Sequence, residues 1–189
     1  MTNLDFSGLS PEDAAKVGLA IDRRENFHGY IPSESLDFIV RNYAALAEKG
    51  VLEPALLDAY VHASHFGAYG FERIKALFDA CDRQRLLSMK PLGDIGNVFG
   101  DRLSLFRGCA GPVHSMGMSW TPSLDKAIWY AAHHAEYHDL VDPVIYVASV
   151  AVEDIYCRLD HYDIDLIVCP RSAWRIDVPP SEFRLDRAR

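Results

Sequence analysis

Ser104-Leu105-Phe106-Arg107-Gly108, followed by Met118-Ser119-Trp120-Thr121-Pro122, is the stretch on which the fold turns. The first piece is apolar and ends in an arginine and a glycine, which reads as a strand over Leu103–Arg107. Such a strand aims a fixed cation out of the sheet, and the glycine lets a ligand approach the backbone. The second piece reads as a strand over Gly117–Thr121 carrying two hydroxyls. Gly108–Gly117 reads as a loop of small residues. The two strand ends together suggest a cleft for a phosphate-bearing ligand.

Downstream, Thr121 or Ser123 caps a helix bearing Ala127, Ile128, Ala131 and Ala135, which breaks by Asp142-Pro143. Val144–Val150 is the clearest strand in the chain, Asp165–Cys169 is another, and Trp174–Val178 is the last. Val152–Arg158 reads neither way. Upstream, the character is helical. Ser10-Pro11-Glu12-Asp13 is a helix start, with a serine cap, a proline tolerated in the first turn and two acids at the positive end of the dipole. That helix is expected to fade near Asn26–Gly29, and residues 1–9 read as a loosely held lead-in. Ser33 or Ser35 caps a second helix that Gly50 ends. Pro54 opens a third and Phe71 a fourth, running to Cys81. Lys90–Asn97 is dense in turn formers, so the expected division is a helical region over 1–92 and a β-rich region over 93–189.

The chain has 189 residues, 49% of them hydrophobic and 24% charged, and a net charge of −8. Up to Pro91 there are 10 basic and 13 acidic residues, and after it 9 and 14, so both parts are acidic. A bulk electrostatic grip on nucleic acid is therefore disfavoured. No apolar run approaches the roughly 18 residues of a membrane span, and the N-terminus lacks a basic region followed by an apolar one. The expectation is a cytoplasmic protein that does not engage membranes. Cys81, Cys109, Cys157 and Cys169 are widely spaced, with no Cys-x-x-Cys, and read as thiols in a reducing compartment.

Asp163 and Asp165 stand two apart before the apolar Leu166-Ile167-Val168. On a strand they face one side, which is costly unless a ligand or cation uses them. The order of Phe-Arg-Gly, Met-Ser-Trp-Thr, a helix with Ala127, Trp129, Tyr130 and Ala131, then Val-Ile-Tyr-Val-Ala-Ser-Val and Asp-Ile-Asp-Leu-Ile-Val-Cys-Pro resembles the mono-ADP-ribosyltransferases of bacteria and phages. The similar subgroup is the one named for an arginine, a serine motif and a glutamate. The resemblance covers roughly residues 100–178 and leaves out the helical first half.

The resemblance implies an α+β protein in which a helical N-terminal region precedes an ADP-ribosyltransferase-like split β-sandwich. It implies NAD as co-substrate and transfer of ADP-ribose to a macromolecular acceptor, a protein before a nucleic acid, with release of nicotinamide. A phage or bacterial conflict effector would suit such a chain. Arg107 matches the arginine that binds the NAD phosphates, with Gly108 the glycine after it. Ser119, Trp120 and Thr121 match the serine motif that shapes the nicotinamide and ribose pocket. Tyr130 or Trp129 would pack near the nicotinamide. Asp165 matches the catalytic glutamate, and Asp163 the acid that helps choose the acceptor. Both acids are one methylene shorter than the family's. The alternative reading is an inactive module of the same fold that binds NAD, ADP-ribose or a protein.

No metal is needed for that chemistry. A second alternative is a metal-dependent hydrolase built on His134 and His138, four apart on a helix, with His133, His114 or His161 as a third ligand. His62 and His65 read as a solvated helix face. Cys109 and His114, in the expected loop, lack a group to orient a thiol–imidazole pair.

Overall fold

The computed structural model describes residues 3–32, 35–63, 66–95, 98–111, 117–160 and 164–183. The chain divides into two compact units, Met1–Leu86 and Leu87–Arg189. It is a mixed helix and sheet protein, with both sheets antiparallel.

In the first unit, α1 spans Pro11–Arg23, and the Ser10 side chain accepts from the Asp13 amide. It ends earlier than the sequence suggests, because Arg24 adopts a left-handed conformation and its N–H returns to Ala20 and Ile21 carbonyls. The chain before it is held, contrary to expectation. Asn42, buried in α2 (Ser35–Glu48), accepts from Asp5 N at 2.6 Å and donates to Asp5 O at 2.9 Å. Ser33 lies outside the described residues. Helix α3 (Leu52–His62) begins two residues before Pro54, which sits in its first turn, where no amide is required. Helix α4 covers Phe71–Asp79.

Buried Leu36, Phe38, Ile39, Leu46, Leu56, Tyr60, Leu77 and Phe78 supply the apolar interior of these helices. The Phe78 ring meets Tyr60 edge-on at 5.3 Å. A fifth helix, α5 (Arg83–Met89), was not legible in the sequence. Seven residues are too few to show a stripe. Its Leu86 is fully buried, and the Asp82 carboxylate accepts from the Arg85 amide at its start.

In the second unit, β1 (Val98–Phe99), β2 (Arg102–Ala110), β4 (Pro143–Ala151) and β7 (Trp174–Ile176) form one sheet in the order β1-β2-β4-β7. Strands β3 (Ser119–Trp120), β5 (Ile155–Leu159) and β6 (Asp165–Val168) form the other, in the order β3-β6-β5. Leu103 and Leu105 of β2, with Ala148 and Val150 of β4, pack on Trp120, Ile155, Leu166 and Val168 of the second sheet. The opposite face of the first sheet is covered by α6 (Leu124–Tyr137), whose Ala127, Ile128 and Ala131 meet Ile145 and Phe106.

The first strand runs three residues past its expected end, so Gly108, Cys109 and Ala110 are strand rather than loop. Every residue of β2 finds a partner in β4, with Gly108 opposite Ile145 and Arg107 opposite Tyr146. A tripeptide of small residues carries no turn signal of its own, and pairing decides its conformation.

Candidate functional site

The two sheets are joined at one seam. Strand β1 covers only Arg102 and Leu103 on its side of β2. Beyond it, Phe106 N donates to Thr121 O at 2.8 Å and Thr121 N to Phe106 O at 2.9 Å. On its other side β3 pairs with β6, Ser119 opposite Ile167 and Trp120 opposite Leu166. The next residues along the two strands are Thr121 and Asp165. Arg107, Ser119, Thr121 and Asp165 therefore stand on three adjoining strands, Arg107 on the face of Leu105 and Trp120 and the other three on the opposite face.

Arg107 Nη1 donates to Ser119 O at 2.8 Å. The guanidinium lies against Gly117, where a Cβ would sit 2.4 Å from Nη2. A side chain there would push the end of the arginine aside. Among the described residues, Arg107 Nε is buried with no hydrogen-bond partner, so the cation is fixed at one end and keeps a donor there. Ser119 and Asp165 stand on one face of their sheet and Trp120 and Leu166 on the other, by the alternation of paired strands. Thr121 is buried, and its Oγ1 accepts from Ser123 N at 3.2 Å, holding the turn into α6.

Two residues read as ligand contacts have structural work instead. Gly108 does not open the backbone to a ligand. A Cβ there would lie 1.9 Å from Ala127 O and 2.7 Å from Ala131 N, so the close approach is by α6 itself. Trp120 is core, 1% exposed, and its Nε1 donates to Gly117 O at 3.0 Å. It fixes the same glycine that seats Arg107.

Tyr130 lies on α6, the helix covering the face of the first sheet opposite to that of Leu103, Leu105 and Arg107. Its ring meets Trp129 at 5.2 Å and His134 at 6.3 Å. Asp163, His114, His161 and His65 lie outside the described residues.

Cys109 is fully buried in β2, not in a loop. Burial pushes its thiol up, and the Arg107 guanidinium offsets this in part, so it is no thiolate nucleophile at neutral pH. The rings of His134 and His138 stack at 6.0 Å along α6, but no carboxylate or thiol joins them in a metal-sized group among the described residues. The group that does so there is His28, Asp58 and His62 in the helical unit. Sequence reading passed over it, although Asp58 and His62 are four apart on a helix and so share a face. No family model, curated protein or solved structure matches the chain.

Proposed function

We propose that the second unit is an ADP-ribosyltransferase domain of the split-sandwich kind, which moves ADP-ribose from NAD to a macromolecular acceptor, a protein in the first instance. The observation that carries this reading is the seam. Arg107, whose Nη1 is tied to Ser119 O at 2.8 Å and whose Nε is buried without a partner among the described residues, lies next to the strands bearing Ser119, Thr121 and Asp165. What supports the reading is that these residues lie on adjoining strands.

A fixed guanidinium suits a diphosphate, since its planar fork matches two anionic oxygens at once. In this reading Arg107 takes the diphosphate, Ser119 borders the nicotinamide ribose and Asp165 serves its anomeric carbon, while buried Thr121 holds the turn that follows. The bond from that carbon to the nicotinamide nitrogen breaks, and the electron pair leaves with nicotinamide. The ribose gains oxocarbenium character, which the Asp165 carboxylate stabilises where the charge develops. The acceptor nucleophile then bonds to the same carbon and gives up its proton.

The test uses NAD labelled on the adenylate, the full chain and a bacterial lysate. Wild type is expected to leave label on macromolecules and to release nicotinamide. Asp165→Ala should lower both by about a hundredfold or more, with NAD binding retained. Arg107→Ala should weaken NAD binding itself. Asp165→Glu, which restores the methylene, should keep activity. If wild type binds NAD but neither labels nor releases nicotinamide, the domain is the inactive binding module. If NAD does not bind, the reading falls.

A further inference from the structure

The helical unit brings two imidazoles and a carboxylate to one place on its surface. His28 opens a short 3-10 turn, His28–Tyr30, after α1. Asp58 and His62 lie on the same face of α3. One ligand atom from each of the three lies within 4.8 Å of the others, and the imidazole centroids are 5.2 Å apart. Asn26 organises the approach: its Oδ1 accepts from His28 N at 2.8 Å, and its Nδ2 donates to Asp58 Oδ2 at 3.2 Å.

Both rings use the same nitrogen inward. His62 Nδ1 donates to the Asp58 carbonyl oxygen at 2.8 Å. His28 Nδ1 lies 2.5 Å from the hydroxyl of Ser35, which is 3% exposed. The carbonyl can only accept, so His62 gives its Nδ1–H and carries its lone pair on Nε2, as a metal-binding histidine does. The Ser35 hydroxyl can donate or accept, and it fixes the orientation of the His28 ring. A Ser–His–Asp relay does not fit, because Ser35 and Asp58 (3.9 Å from Oδ2) both face Nδ1 of His28, leaving no second nitrogen to pass a proton.

We propose that His28, Asp58 and His62 bind one divalent transition-metal cation, of which zinc is the best match. Two imidazoles with one carboxylate are a borderline donor set, which favours zinc over the all-oxygen demands of calcium or magnesium. Tetrahedral zinc at about 2.1 Å from each donor wants ligand atoms about 3.4 Å apart, a closure the exposed His62 side chain can supply. Three protein ligands leave a fourth position. A pocket lined by Ser35, Ile39, Val51, Arg24 and Arg85 opens beside His28 and Asp58 and gives it access to solvent. A water can fill that position, since Glu25 also lines the pocket and Arg85 is already paired with Glu53. This site lies within Met1–Leu86 and is independent of the transferase reading.

The test is titration of the tag-free full chain, stripped of metal with chelator, with zinc chloride by calorimetry, and with cobalt(II) by its visible spectrum. One zinc per chain and a tetrahedral cobalt spectrum are expected. His62→Ala, at an exposed position, should weaken binding by more than a hundredfold with the circular dichroism spectrum unchanged. Ser35→Ala, which removes only the partner of His28 Nδ1, should weaken it by about 10–100-fold. His138→Ala should leave it as in wild type. No saturable zinc site in wild type would overturn the proposal, as would equal affinity in wild type and His62→Ala.

Discussion

Helix α1 takes its limits from its own ends, whereas strand β2 takes them from a strand far along the chain. At α1, Ser10 accepts from the Asp13 amide, Lys16 pairs with Glu12 one turn on, and Arg24 closes the last turn. At β2, the last three residues are strand because Ile145, Val144 and Pro143 lie opposite them. Local signals state where a helix starts and stops; a strand's length is a property of the pair. The same contrast holds for glycine. Gly50, with φ +68°, ends α2 by its own conformation. Gly108 is required by a helix that packs across it.

The sharpest way to break the contrast is Gly108→Ala. Its Cβ would sit 1.9 Å from a backbone oxygen of α6, which no rotamer relieves. We expect a loss of more than about 3 kcal/mol, above the usual range for overpacking because backbone must move. Amide exchange should rise across Leu87–Arg189 and stay unchanged across Met1–Leu86. A stability within about 0.5 kcal/mol of wild type would mean that α6 does not need this contact.

That example marks the limit of what could be read from residues alone. The cap of α1, the apolar stripes of the longer helices, the helix after Ser123 and the strands β4, β6 and β7 all announce themselves within ten residues. The extension of β2 and the partner of Asn42 do not, because each depends on a residue distant in sequence, and α5 is too short to show a stripe. At the seam, residue types and order pointed to Arg107, Ser119, Thr121 and Asp165. The reason for Gly117, a seat for the guanidinium, needed the fold. His28 was invisible as a neighbour of Asp58 and His62, since a turn and a helix separate them.

A second, smaller effect distinguishes the units by pH. Burial pushes the Cys157 thiol up to about 12, with nearby Lys90 offsetting it slightly. The unfolded chain loses this proton near pH 9 and the folded chain keeps it to about 12. Between those values the native state binds one more proton, so stability falls as pH rises, by about 1.4 kcal/mol per pH unit. Below pH 9 the group contributes no slope. Denaturant melts at pH 9 and pH 10 should show this fall, and Cys157→Val should reduce it, leaving the part due to buried Cys109, whose thiol is also pushed up. An unchanged slope in the variant would place the alkaline loss elsewhere.

The smallest effects return to the helix ends. Ser10 and Ser123 are both N-caps, accepting from Asp13 N at 3.1 Å and from Lys126 N at 3.3 Å. Replacing either by alanine should cost about 1 kcal/mol. The distribution of that cost should differ. Helix α1 is closed by local signals, so Ser10→Ala should raise amide exchange over its whole first turn and lower its protection further along. Helix α6 is clamped at Ala127 and Ala131 by Gly108 and Ile145, so Ser123→Ala should fray only the residues before Ala127. Equal fraying in both helices would sink the idea that one is held by its ends and the other by what it packs on. A cap is worth most where nothing else fixes the turn, and α6 has a strand beneath it.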